Sequence, residues 1–209
     1  MKLSWRFLLL GIGAAAVLTL SGCALGGKVA GNQFTYDSPR MNITVSQDFK
    51  YLGKEEGAGG SENIFGGPES VGSSKKETYT WVSQVPGRAI TITVSTLLSP
   101  QWSWRTPAFD KNARNVIEHE VATFGGMQYE RALRIVDIKN GCVLAETMSA
   151  IANTEVNVMI TYSESLAKSG FSCPRWYAKG NLNDGQRRFL NEFLLRANEA
   201  YSPKPAFLK

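Results

Sequence analysis

The stretch ALRIVDIKNGCVLAETMSAI, residues Ala132 to Ile151, decides the fold class because it predicts two antiparallel β-strands joined by a tight turn. The turn falls at Asn140-Gly141, a pair that readily adopts the positive φ values of a type I′ turn. The next segment, EVNVMITY, alternates apolar and polar residues, so that one face carries Val156, Val158, Ile160 and Tyr162. Together the three segments predict an antiparallel meander.

A second hairpin is predicted upstream, where ETYTWV and RAITITVSTLL flank the turn signal Pro86-Gly87. Ile90, Ile92 and Val94 alternate with hydroxyl residues, which gives this strand one apolar and one polar face. Two shorter β-like segments, MNITV and FKYL, precede the hairpin. Residues 53–77 are rich in glycine, serine and charge, and we expect a long loop there.

Two amphipathic helices complete the prediction. Thr106-Pro107 is typical of a helix start and Gly125-Gly126 of a stop. Apolar residues between them recur at helical spacing: Phe109, Ala113, Val116, Ile117, Val121 and Phe124. Near the C-terminus, Asn183 and Gln186 stand in capping-box spacing before a second apolar stripe. That stripe consists of Phe189, Leu190, Phe193, Leu194, Ala197 and Tyr201.

These elements predict one α+β domain over residues 33–209: a mainly antiparallel sheet, built from hairpins and a meander, with two amphipathic helices packed on it. Strands do not alternate regularly with helices, so a parallel sheet is not expected. The order of elements is loosely similar to that of the Mog1/PsbP-type sheet with flanking helices. That resemblance gives a more specific fold as an alternative.

The N-terminus has the layout of a secretory signal, since Lys2 and Arg6 precede an apolar stretch from Phe7 to Leu20. This stretch is shorter than the about 20 residues that a membrane span needs. The four residues Leu20-Ser21-Gly22-Cys23 resemble the lipobox of bacterial lipoproteins. The resemblance implies cleavage of residues 1–22, lipidation of Cys23 and a flexible tether over residues 23–32. The alternative is an ordinary signal peptide followed by a buried or paired cysteine.

The resemblance also implies a location in the bacterial cell envelope. In enterobacterial lipoproteins an aspartate after the lipidated cysteine favours retention in the inner membrane. Ala24 stands at that position, so we expect the outer membrane, with the domain facing the periplasm.

The two remaining cysteines, Cys142 and Cys173, form an even set in an exported chain, and we predict a disulfide between them. On the chain-entropy model, such a bond stabilises the fold by about 3 to 4 kcal/mol. The alternative is two free thiols, of which Cys173 could act as a nucleophile.

The charge pattern does not indicate nucleic-acid binding. Removal of the signal lowers the formal net charge from +5 to +3, and the basic residues are spread among acids. The expected partners are therefore a membrane, through the lipid anchor, and an envelope protein or glycan.

Catalytic patterns are incomplete. His119, the only histidine in the chain, begins the segment HEVAT, which starts like the helical zinc pattern His-Glu-x-x-His. Thr123 occupies the position of the second histidine. We therefore predict neither a metal site nor a cofactor. Ser165 and Lys168 have the Ser-x-x-Lys spacing of penicillin-binding proteins and serine β-lactamases, without the other motifs of those families. An envelope hydrolase or transferase using Ser165 with Lys168, or Cys173 with His119, is the rival hypothesis.

Aromatic and basic residues cluster in SPQWSWRTP and CPRWY, and they favour a non-catalytic binding or assembly module. Tryptophan and arginine are enriched at binding hot spots because a large rigid side chain buries much area at low entropic cost. The candidate surface consists of Trp102, Trp104, Arg105, Arg175, Trp176 and Tyr177. The alternative is that the tryptophans close the core of the domain.

Overall fold

The computed structural model describes residues 26–37, 40–59, 74–98, 103–104, 109, 112–124, 127–138, 141–153, 155–177 and 181–202. These residues form eleven strands, one α-helix and two single 3₁₀ turns. The strands are β1 (Lys28–Ala30), β2 (Gln33–Asp37), β3 (Arg40–Val45), β4 (Phe49–Gly59), β5 (Ser74–Ser83), β6 (Arg88–Leu97), β7 (Val116–Phe124), β8 (Met127–Ile138), β9 (Gly141–Ile151), β10 (Val156–Ser165) and β11 (Tyr201–Ser202). Helix α1 spans Asp184–Ala200, and the 3₁₀ turns span Leu166–Lys168 and Cys173–Trp176.

The larger sheet has seven strands in the order β4-β5-β6-β10-β9-β8-β7, and every neighbouring pair is antiparallel. The smaller sheet has the order β1-β2-β3-β11. The predicted meander is confirmed as β8, β9 and β10, with Ile138 opposite Gly141 at the first turn. The predicted hairpin is confirmed as β5 and β6. A mainly antiparallel sheet carrying a helix is therefore the observed architecture.

The predicted helix that ends at Phe124 is wrong where the structure describes it, because Val116–Phe124 is the edge strand β7. Residues 105–108, which include the expected helix start, lie outside the described residues. Val116, Ile117 and Val121 are β-branched and favour a strand. Glu120 lies opposite Arg131 of β8, and this cross-strand charge pair adds to the preference.

The expected loop over residues 53–77 is shorter than predicted. Strand β4 extends to Gly59 and β5 begins at Ser74, while residues 60–73 lie outside the described residues. The charged segment remains in register, with Glu56 opposite Glu77 and Gly57 opposite Lys76. The predicted flexible tether also ends earlier, because Lys28–Ala30 pairs with β2.

Helix α1 begins with the predicted capping box: the Asn183 side chain accepts from the Gln186 backbone at 2.9 Å, and the Gln186 side chain accepts from the Asn183 backbone at 3.0 Å. The helix and the smaller sheet cover one face of the larger sheet. Aromatic side chains fill the space between these layers, including Phe34 against Tyr79 and Phe193 against Tyr162. The core is thus closed by both sheets and α1.

The predicted disulfide between Cys142 and Cys173 is present. It joins the start of β9 to the second 3₁₀ turn, which positions Trp176 in the core between Phe171 and Phe189 of α1. The bond therefore ties the segment before the helix to the larger sheet.

The antiparallel order defines two ends of the larger sheet. The Arg88 end contains Ser83, Arg88, Gly141 and Ser165. The Ser74 end contains the opposite termini of the same strands: Ser74, Leu97, Ile151 and Val156. The candidate sites below are located relative to these two ends.

Candidate functional site: a polar cavity at the Arg88 end

A surface cavity of about 200 Å³ lies at the Arg88 end. The β5–β6 turn supplies Gln84 and Arg88, the turn before β4 supplies Asp48, and the last turns of α1 supply Arg196 and Glu199. The cavity is thus a meeting point of three segments that are far apart in sequence. Tyr162 of β10 also lines it and connects it to the core.

Glu164, at the end of β10, organises the charges beside this cavity. Its carboxylate is 7% exposed and receives two hydrogen bonds from Arg196, at 2.7 Å from Nε and 2.9 Å from Nη2. The Tyr162 hydroxyl donates to the same carboxylate. Burial and the bond to Glu164 both raise the pKa of Tyr162, so its hydroxyl keeps its proton. The position of the Glu164 carboxylate is therefore fixed by hydrogen bonds from Tyr162 and Arg196.

Arg88 is the second cation held by Glu164. Its Nε lies 3.3 Å from Glu164 Oε1, and the two residues are directly opposite each other in the β6–β10 pair. Within the described part of the chain, Nη1 and Nη2 of Arg88 have no hydrogen bond or ion pair. Glu164 thus orients the Nε side of Arg88, and the described residues leave both terminal NH₂ groups free to donate. Such a fork matches the two oxygens of a carboxylate or phosphate.

Acidic side chains border the same cavity. Asp48 and Glu199 are exposed, and their carboxylates make no hydrogen bond or ion pair with other described residues. The Gln84 side chain is likewise without a partner among these residues. The cavity thus presents cationic, anionic and amide groups side by side.

A second polar cluster fixes the start of the described chain at the Ser74 end. The Tyr79 hydroxyl lies 2.9 Å from the Gly27 carbonyl oxygen and 3.2 Å from Glu77 Oε2. Lys54 and Lys75 both donate to Glu77 Oε1 at 2.8 Å. Burial and the nearby charge of Glu77 raise the pKa of Tyr79 to about 12, so the phenol stays neutral and donates. We call Gly27, Lys54, Lys75, Glu77 and Tyr79 the Gly27 clasp.

The aromatic residues predicted as one binding surface are separated. Trp104 is half-buried and its Nε1 donates to the backbone carbonyl oxygen of Glu155 at 2.9 Å, near the Ser74 end. Tyr177 donates to Asp137 at 2.5 Å, near the Arg88 end. Because β9 has eleven residues between these ends, the two clusters lie roughly 30 Å apart.

The sequence predicts Trp176 as part of that surface, and this prediction is wrong. The Trp176 side chain is 1% exposed and belongs to the core. Arg175, beside it, is exposed, and the Tyr177 ring lies 4.5 Å from the Arg114 guanidinium carbon. Trp102 and Arg105 lie outside the described residues. In the segment CPRWY, Trp176 thus belongs to the core, and Arg175 and Tyr177 supply the polar groups beside it.

The structure excludes a Cys173 thiol nucleophile with His119, whereas the pair of Ser165 with Lys168 includes a side chain outside the described residues. Cys173 is bonded to Cys142 and has no thiol for nucleophilic attack. The Ser165 hydroxyl accepts from the Ala167 backbone at 3.3 Å and caps the first 3₁₀ turn; the Lys168 side chain lies outside the described residues.

His119 does not lie on a helix, although the sequence predicts one over this segment. It lies on β7, its side chain is 15% exposed, and its Nε2 is 3.7 Å from Glu130 Oε2. Among the described residues, no group of three or more His, Cys, Asp or Glu side chains is arranged to hold a metal ion. In the same part of the chain, no helix has both the length and the apolarity to cross a membrane.

Sequence reasoning missed the cavity and the Gly27 clasp. Arg88, Glu164 and Arg196 follow no motif, and only the strand register makes them neighbours. The alternation in RAITITV, which places Arg88 on the same face as Ile90, was the one available signal.

Comparison of the chain with protein-family models, curated proteins and solved structures found no match.

Proposed function

We propose that this chain is a lipid-anchored lipoprotein of the bacterial cell envelope whose domain is a non-catalytic binding or assembly module. The observation that carries the proposal is the position of Leu20-Ser21-Gly22-Cys23 immediately before a docked segment. Cys23 is three residues from Gly26, whose Cβ position lies 3.4 Å from the Glu77 carboxylate. The lipid attachment point and the folded domain are therefore almost contiguous.

A short connection gives the anchor a definite geometry. Three residues span at most about 11 Å, so the Ser74 end would be held against the headgroup region. Glu77 in the Gly27 clasp and Ser83 are six residues apart on β5, so the Arg88 end is about 20 Å along the strand from the clasp. The cavity would then face a partner or ligand in the periplasm.

The disulfide supports an exported location, since such bonds persist in oxidising compartments and are rare in the cytosol. Ala24 supports sorting to the outer membrane rather than retention in the inner membrane. The arrangement of an antiparallel sheet with a helix across one face is compatible with a Mog1/PsbP-like fold, which we retain as a proposal.

Metabolic labelling tests the anchor directly. Cells expressing the full chain are fed an alkyne fatty acid, and the protein is separated by detergent phase partition. We expect label and detergent-phase recovery for the natural chain and for Ala24→Ser, which keeps the lipobox cysteine. Cys23→Ser should lose both. Equal labelling of Cys23→Ser, or no labelling of the natural chain, would rule out the anchor at Cys23.

Ala24→Asp tests the sorting part of the proposal. In an enterobacterial host, we expect this variant to move from the outer-membrane fraction to the inner-membrane fraction on a sucrose gradient. Ala24→Ser should stay in the outer-membrane fraction. The same distribution for both variants would contradict the sorting rule for this chain.

A further inference from the structure

We propose that the cavity at the Arg88 end binds a small zwitterion, namely an α-amino acid, with its carboxylate on Arg88 and its ammonium group toward Asp48 and Glu199. This inference goes beyond the lipid anchor and does not depend on it. It rests on the arrangement of three charged groups around one small cavity.

The carboxylate half follows from how Arg88 is held. The Glu164 carboxylate lies on the Nε side of Arg88. The same carboxylate accepts hydrogen bonds from Arg196 and Tyr162. The terminal nitrogens of Arg88 have no partner among the described residues, and the side chain is 28% exposed beside the cavity. An arginine that is already oriented loses little entropy on binding, so it favours a planar two-oxygen anion.

The ammonium half follows from the acids that share the cavity. Asp48 and Glu199 are unpaired within the described ranges and line the same space as Arg88. A ligand with two negative charges, such as phosphate, would meet these carboxylates and be disfavoured. A ligand with one carboxylate and one adjacent ammonium group satisfies both signs of charge.

The size of the cavity limits the ligand. Its volume is about 200 Å³, below the range of roughly 300 to 1,000 Å³ that is typical of drug-sized ligands. Phe49 and Val85 supply apolar surface next to the charged groups. The cavity thus suits a free amino acid with a small or apolar side chain better than a long peptide or a polysaccharide.

Isothermal titration calorimetry on the purified mature protein tests the proposal, with the twenty common amino acids as probes and with acetate, methylamine and inorganic phosphate as contrasts. We expect at least one small or apolar amino acid to bind more tightly than all three contrast compounds. Arg88→Gln should weaken that binding about 10- to 100-fold, since a hydrogen-bonded charge is lost. Asp48→Asn and Glu199→Gln should each weaken it about two- to five-fold.

Arg188→Gln is the matched control, because Arg188 is exposed on α1 and does not line the cavity. It should bind like the natural protein. If Arg88→Gln unfolds, Asp48→Asn still tests the site, since Asp48 is exposed and its side chain has no described partner. The proposal is overturned if no amino acid binds at about 10 mM. It is also overturned if phosphate or acetate binds as tightly, or if neither Arg88→Gln nor Asp48→Asn changes the affinity.

Discussion

At the scale of single residues, Glu164 is informative because burying its carboxylate costs desolvation free energy. A buried carboxylate with two arginines must be removed from water, and such groups are often no more stabilising than an apolar replacement. Stability alone therefore gives no reason for placing Arg88, Arg196 and Glu164 at one end of the sheet. Orientation of Arg88 toward the cavity gives a functional reason.

Glu77 has an equally specific environment in the Gly27 clasp. Burial alone would raise the pKa of its carboxyl group, but hydrogen bonds from Lys54 and Lys75, together with their charges, outweigh burial and lower it. Glu77 is 3% exposed, so these lysines are its counter-charges in place of water. The clasp thus depends on an ionised Glu77.

The lowered pKa of Glu77 predicts a pH dependence of stability. A carboxyl group with a folded pKa below its unfolded value stabilises the fold above the unfolded pKa, here near 4.5, and loses that contribution as pH falls through the folded pKa. Thermal unfolding from pH 7 to pH 3 should show natural protein more stable than Glu77→Gln near neutrality. The difference should shrink below about pH 4.5. A difference that stays constant or grows on acidification would contradict this account.

At the scale of elements, the N-terminal segment is packed more tightly than a tether. A Cβ on Gly27 would lie 2.3 Å from Phe34 Cε2 and 2.9 Å from Tyr79 Cζ, both in buried rings. Only glycine therefore fits where the chain enters the domain. This close approach places Gly27 against the core, four residues after Cys23 in the sequence.

Gly27→Ala should destabilise the domain by about 1 to 3 kcal/mol, because the added methyl group must displace core rings. Chemical denaturation would measure the change. Gly57→Ala is the control, since it lies in β4 and a Cβ there meets nothing within 4 Å. An equal effect of the two substitutions would show that the loss comes from backbone flexibility and not from packing at the clasp.

Local signals explain which elements could be predicted from sequence. The hairpin signal at Asn140-Gly141, the alternation around Ile92 and the capping box of Asn183 each act over a few residues. The structure confirms the two strands of that hairpin, the strand around Ile92 and the capping box. The segment 116–124 has apolar residues compatible with both helical and extended spacing. Its strand conformation depends on pairing with β8 and on Arg131, which is a tertiary effect that local periodicity does not contain.

The candidate cavity was beyond reach of the same reasoning. Arg88 and Glu164 become partners only when β6 and β10 pair in the observed register, and Arg196 joins them only when α1 packs across the sheet. The aromatic clusters were visible in sequence, but their separation to opposite ends was not, because it requires the strand order. The disulfide was predictable because Cys142 and Cys173, the two cysteines that remain when Cys23 is set aside for lipidation, have only one pairing.

At the scale of the whole molecule, the Gly27 clasp and the cavity occupy different parts of the larger sheet. The described chain enters the domain at the Gly27 clasp, and the cavity lies at the Arg88 end. The disulfide is at the Arg88 end, where it ties β9 to the turn that precedes α1. The last turns of the same helix supply Arg196 and Glu199 to the cavity.

Removal of the disulfide should lower the free energy of unfolding of the whole domain. The double variant Cys142→Ala/Cys173→Ala should lose about 3 to 4 kcal/mol of unfolding free energy, as expected for a sequence separation of 31. Urea denaturation of this variant and of the natural protein, with and without reductant, would measure the loss. Reductant should affect only the natural protein; a natural protein unaffected by reduction would contradict a stabilising bond.

We propose that a disulfide-closed domain is attached to the membrane through Cys23. The most direct test is the intact mass of the membrane-extracted protein before and after reduction and alkylation. The account predicts a chain that begins at Cys23, carries added acyl chains and gains two alkylated thiols only after reduction. A mass without acyl groups, or two thiols that react without reduction, would contradict it.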